Sequence, residues 1–128
     1  KNVKLYGKLS HKETLAQISD SKALISTSPM EGFPNVFIEA WACGLPVLSL
    51  YFDPGNIIKN EHLGTIANGN IDKFIEALNK AEYSEEFAQH ARLYVKNNFS
   101  LTEEKIKETN ELFENIYNSN NHFSLKTD

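Results

Sequence analysis

The sequence predicts an α/β domain built on a parallel sheet with right-handed crossovers. Three observations carry that expectation. Short apolar runs at 23–27 and 47–51 lie between turn residues and have the length and Leu, Ile and Val content of strands buried on both faces. Segments with apolar residues at helical spacing separate such runs. Strand and helix alternate three times, in a chain of 128 residues and 41% hydrophobic content that suits one core of ordinary size.

In chain order, Val3, Lys4, Leu5 and Tyr6 alternate apolar and polar before Gly7, the pattern of a short first strand. Ser10 and Glu13 have capping-box spacing, so a helix is expected from there to Asp20 that buries Leu15 and Ile18. After the run at 23–27 comes a loop at 28–33. Pro34 suits the first position of the next helix, which runs to Cys43 or Gly44 with Val36, Phe37, Ala40 and Trp41 on an apolar face. Gly44 caps it, Pro46 opens the strand at 47–51, and Asp53, Pro54, Gly55 and Asn56 form a turn.

Residues 64–67 give a further short strand, and Asn70 caps a helix with Ile71, Phe74, Ile75 and Leu78 on one face. Ser84, Glu85 and Glu86 open another helix, with Phe87, Ala91, Tyr94 and Val95 facing the core. A second capping box, Ser100 to Glu103, starts a last helix that buries Ile106, Phe113 and Ile116 and reaches Tyr117, so the domain is expected over 1–117. Residues 118–128 are polar and aperiodic, a tail expected to be disordered.

Charge and cysteine content exclude several functions. The net charge is −4, and twelve of the thirteen basic residues are scattered lysines with Arg92 the one arginine, which argues against a nucleic-acid partner. Cys43 is the one cysteine, so no internal disulfide forms and a reducing, cytoplasmic setting is expected. His11, His62, His90 and His122 share no ligand spacing, which favours surface roles for them and no metal site. There is no apolar run of membrane-spanning length. A start at Lys1, on the approach to a strand, reads as a piece of a longer protein.

The stretch 31–40 is the chief candidate for chemistry. In parallel sheets ligands sit at the carboxyl ends of strands, where the loops at 28–33 and 51–56 are expected. A helix start preceded by Gly32 presents backbone N–H groups and a positive dipole end to phosphate or hydroxyl oxygens. Glu39 lies about 7–8 Å further along that helix, about the reach from a diphosphate to its ribose. A carboxylate accepts both hydroxyls of a vicinal diol, so ribose is a natural partner for Glu39. Glu31, on the loop, would face a transferred sugar, where it recognises hydroxyls or stabilises positive charge at the anomeric carbon.

On spacing alone the plainer alternatives stay open. Glu39 reads equally as a solvated surface acid, and Glu31 as a charge that stabilises the helix dipole without a ligand. Trp41 and Phe37 read as core, Cys43 as a small buried hydrophobe, Asp53 as a turn former, and the glutamates at 103–111 as a solvated face.

The whole run from Glu31 to Val47, EGFPNVFIEAWACGLPV, resembles the donor-site signature of the retaining glycosyltransferases of family 4. Two glutamates with seven residues between, followed by Gly44-Leu45-Pro46-Val47, are more specific than either piece, and the resemblance extends from Val3 through Tyr117. It implies a GT-B fold, two Rossmann-like domains across a cleft, of which this chain resembles the later part of the C-terminal, donor-binding domain. By resemblance, Glu39 binds the ribose, Glu31 is the catalytic-site glutamate on the donor sugar, and the backbones of Gly32, Phe33, Asn35 and Val36 hold the sugar and diphosphate.

The donor would be a UDP- or GDP-sugar with no metal, and the acceptor a growing polysaccharide or lipid-linked sugar. An N-terminal acceptor domain would lie outside the chain, with peripheral attachment to the inner face of the membrane through that part. The family's Arg and Lys pair for the diphosphate would also lie upstream, and the loop after Leu50 reads YFDPGN where a Gly-Gly pair with a Glu beyond is common. The isolated chain is therefore expected to be inactive. Two other functions compete: a non-catalytic Rossmann-like binding module, and a GT-B sugar-nucleotide epimerase.

Overall fold

Residue 47 pairs with 24 on one side and with 64 on the other, and this ladder of parallel strands organises the chain. The computed structural model describes residues 2–100 and, beyond them, 103, 104, 107, 110, 111, 114 and 115. The elements in order are α1 (His11–Ser19), β1 (Leu24–Ser26), α2 (Asn35–Cys43), β2 (Val47–Ser49), α3 (Ile57–Asn60), β3 (Gly64–Ile66), α4 (Ile71–Lys80) and α5 (Glu85–Phe99). The sheet order is β1-β2-β3, all parallel. The predicted α/β class with a parallel sheet and flanking helices is the one observed, a Rossmann-like layering.

Strand β2 is buried along its whole length, as its unbroken apolar run requires of a central strand. Its alternate residues serve two cores. Val47 packs with Phe37, Ala40, Trp41, Ile58, Leu63 and Ala91 beneath α2, α3 and α5. Leu48 and Leu50 pack with Ala67 and Phe74 beneath α4. Strand β1 is different: Ile25 is 48% exposed, so the run at 23–27 forms a sheet edge and is not the fully buried strand its composition predicts.

The predicted first strand is absent. Residues 2–6 form no ladder, and Val3 and Leu5 are 84% and 90% exposed, because no described strand offers them a partner. Alternation gives a segment the capacity to pair, and pairing needs a neighbour.

Local signals at helix ends hold up well. The Ser10–Glu13 capping box is closed in both directions, at 3.3 Å from the Glu13 N–H to Ser10 Oγ and 2.8 Å from the Ser10 N–H to Glu13 Oε2. Gly44 adopts φ 82° as the left-handed cap of α2, and Asn70 Oδ1 accepts from the Lys73 N–H at 2.9 Å to cap α4. Pro34 lies one place earlier than predicted, at the N-cap position of α2 with an extended ψ of 112°.

The loop after β2 holds an unpredicted element. Ser49 Oγ donates to the Phe52 carbonyl at 2.6 Å and accepts its N–H at 3.2 Å, which closes a tight turn. A 3₁₀ turn at Pro54–Asn56 and helix α3 follow. Asp53, read from sequence as a turn former, accepts the N–H groups of Ile58 at 2.8 Å and Lys59 at 3.1 Å. Asp53→Ala is expected to cost about 1–2 kcal/mol in urea denaturation, as the loss of a helix cap does, and Asp53→Asn less because one acceptor oxygen survives.

The chain divides into two compact units, Lys1–Asn98 and Phe99–Asp128. In the second, the described positions 103, 104, 107, 110, 111, 114 and 115 are helical, and Lys107 pairs with Glu111 at 3.9 Å. The expected burial of Ile106, Phe113 and Ile116, the helix end at Tyr117 and the tail at 118–128 lie outside the described residues.

Candidate functional site

The carboxyl ends of β1, β2 and β3 open onto one edge of the sheet, and the chain leaves them through 27–34, 50–53 and 67–70. The first of these segments carries the candidate residues. Glu31 and Gly32 are exposed, and a Cβ built on Gly32 would meet nothing within 4 Å, so the backbone there is open to a ligand. Phe33 is 43% exposed, while Pro34 is buried and fixes the approach to α2.

Helix α2 then begins at Asn35. No side chain caps it, and the first turn closes through the Phe37 N–H to the Pro34 carbonyl at 3.0 Å. The Asn35 and Val36 amides are therefore placed at the positive end of a nine-residue helix without a side-chain acceptor among the described residues. Pro34, without an N–H, adds no donor. Burial of Phe37, Ala40 and Trp41 fixes the rotation of the helix, and this leaves Glu39 on the flank toward α1 with its side chain 24% exposed.

The anchor of α2 is Trp41. It is fully buried, donates from Nε1 to the Leu63 carbonyl at 2.9 Å, and meets Phe37 and Tyr94 edge-on with ring centroids at 6.0 and 6.2 Å. Trp41 and Phe37 are thus core residues, as their spacing predicts. At the helix's far end Arg92 donates to the Cys43 carbonyl at 3.1 Å. Burial pushes the Cys43 thiol above its ordinary pKa, against the pull of the Arg92 guanidinium and with a small addition from Glu39. A thiol held protonated is no nucleophile, in line with the reading of Cys43 as a small hydrophobe.

One close polar contact of Glu39 was not visible in sequence. His11, the first residue of α1, brings Nδ1 to 3.6 Å from Glu39 Oε1. Beside this pair a cavity of about 520 Å³ runs between α1 and α2, walled by Leu15, Ala16, Ile38 and Ala42 together with Ser19 and Cys43. Of the six candidate residues Glu39 alone lines it; Glu31, Gly32, Phe33, Asn35 and Val36 belong to the open loop and helix start. Among the described residues no three His, Cys, Asp or Glu side chains gather as a metal site would need, and no helix is long and apolar enough to cross a membrane.

The parallel three-stranded sheet flanked by helices is Rossmann-like layering, consistent with the C-terminal domain of GT-B proteins. A family model, glycosyl transferases group 1, matches residues 1–98, and the chain belongs to that family. No curated protein and no solved structure compared with it matches. Membership makes this a glycosyltransferase domain.

Proposed function

We propose that the chain is the donor-binding part of a retaining glycosyltransferase of family 4, which moves a hexosyl group from a UDP- or GDP-sugar to a carbohydrate or lipid-linked acceptor. The observation that carries this reading is the helix α2 start. Uncapped amides at Asn35 and Val36 follow an open glycine, and a half-sheltered carboxylate, Glu39, stands one turn further on.

In this reading the backbones of Gly32, Phe33, Asn35 and Val36 receive the sugar and diphosphate oxygens, with no metal. The Glu39 carboxylate accepts the 2′- and 3′-hydroxyls of the ribose. Glu31 faces the sugar. As the bond from the anomeric carbon to the diphosphate breaks, positive charge grows on that carbon, and a carboxylate near it lowers the energy of the transition state. The leaving diphosphate gains negative charge, which the helix end favours. An acceptor domain preceding this segment in a longer protein, working in polysaccharide synthesis at the inner face of the cytoplasmic membrane, completes the proposal. The chain by itself is then not expected to transfer sugar.

Calorimetric titration with UDP and GDP tests the site. Glu39→Ala removes up to two charge-assisted hydrogen bonds and is expected to weaken nucleotide binding by about tenfold or more. Its thermal midpoint is expected to stay close to the parent's, because Glu39 lies outside the buried core and its one close polar contact among the described residues is His11. Equal affinity for the variant and the parent would remove Glu39 from the site.

A further inference from the structure

We propose that His11 is a positioning residue that presents the Glu39 carboxylate to the ribose diol, an inference that rests on the donor-site reading above. The two side chains come from different helices and are 28 positions apart in sequence, yet Nδ1 and Oε1 lie 3.6 Å apart. That separation is longer than a hydrogen bond, so neither group is committed to the other.

The two sides of the contact are held unequally. His11 is the first residue of α1, and the closed Ser10–Glu13 capping box fixes its backbone. Its ring is 72% exposed and stands at the rim of the contact, while Glu39 is 24% exposed. A glutamate carboxyl rotates broadly about its last torsion, and ligand binding must halt that rotation. Leu15, Ile38 and Ala42 wall the cavity beside the carboxylate, with Ser19 and Cys43 also on its lining, and the one ion-pair-range contact of Glu39 among the described residues is the imidazole. A carboxylate has about four acceptor sites on two oxygens, so an oxygen turned to the ring leaves enough for two ribose hydroxyls.

This role makes His11 a determinant of ribose against deoxyribose preference. The test is an NMR titration of the full chain with uridine, guanosine and adenosine and with their 2′-deoxy counterparts. Nucleosides carry the ribose without phosphates, so the result does not depend on diphosphate contacts. The parent is expected to bind its preferred ribonucleoside about tenfold more tightly than the deoxy form. His11→Leu should weaken ribonucleoside binding by about three- to tenfold while the deoxynucleoside is nearly unaffected.

His11→Asn, whose amide nitrogen stands near the place of Nδ1, should restore most of the preference. In a Glu39→Gln background His11→Leu should have no further effect. A parent-like ribose preference in His11→Leu, with the preference lost in Glu39→Ala, overturns the role of His11 alone. Equal weakening of both nucleosides by His11→Leu also overturns it. No nucleoside binding by the parent, or an unchanged preference in Glu39→Ala, overturns the donor-site reading as well.

Discussion

Gly64→Ala is expected to lose on the order of 3–4 kcal/mol of stability, enough to leave a domain of ordinary stability partly unfolded at room temperature. Gly64 opens β3 at φ 146°, a backbone conformation that L side chains rarely adopt. A Cβ there would stand 1.9 Å from the Val47 carbonyl oxygen, 2.7 Å from the Val47 nitrogen and 2.8 Å from its carbonyl carbon. All three are backbone atoms of the central strand, so no rotamer change relieves the clash. The strands must separate, and the pairs Val47↔Gly64, Leu48↔Thr65 and Ser49↔Ile66 go with them.

Urea denaturation followed by circular dichroism measures the loss. Gly32→Ala serves as the control, because open space surrounds that position and its midpoint should stay within about 0.5 kcal/mol of the parent's. A Gly64→Ala midpoint within about 1 kcal/mol of the parent's would show that β2 and β3 do not approach this closely.

Gly44 and Gly64 together show what the sequence could reveal. Gly44 was legible as a helix cap because that role is local, a left-handed residue after an apolar helix, whereas the close approach of Ala88, 2.7 Å from where its Cβ would stand, was not. Gly64 was legible only as a strand end, since its reason is the backbone of a strand seventeen residues earlier. The capping residues Ser10 and Asn70 were legible for the same reason as Gly44.

Asp53 was only half legible. Its carboxylate caps α3 from five and six residues away, with a 3₁₀ turn between, so no capping-box spacing marks it. The pattern at Val3–Lys4–Leu5–Tyr6 misled because period two records a capacity to pair and says nothing about whether a partner exists. At the candidate site, the loop, the helix start and Glu39 follow from residue types in order along one segment. His11 does not: it reaches Glu39 only because α1 packs on α2, and its neighbours in sequence mark it as a surface residue.

Trp41 ties that helix to the rest of the fold, and Trp41→Ala is expected to cost about 3–5 kcal/mol, the range for emptying a buried aromatic site. Trp41→Phe separates the two contributions. Phenylalanine keeps much of the packing between Phe37 and Tyr94 but loses the hydrogen bond from Nε1 to the Leu63 carbonyl. That carbonyl is not left alone, because it also accepts the Val47 N–H at 3.2 Å. The cost of Trp41→Phe should therefore stay at about 1–2 kcal/mol, below that of a carbonyl stripped of every partner.

Trp41 is the one tryptophan in the chain, so its fluorescence follows the parent and circular dichroism follows the variants. Glu39 and Trp41 are two residues apart, about 200° around the helix, so one faces the core while the other faces α1. A folded Trp41→Phe protein should consequently show whatever ribonucleoside preference the parent shows, while its denaturation midpoint falls. A loss of preference equal to that of Glu39→Ala would mean that the rotation of α2 is set by the Trp41–Leu63 hydrogen bond more than by the apolar packing of Phe37 and Ala40.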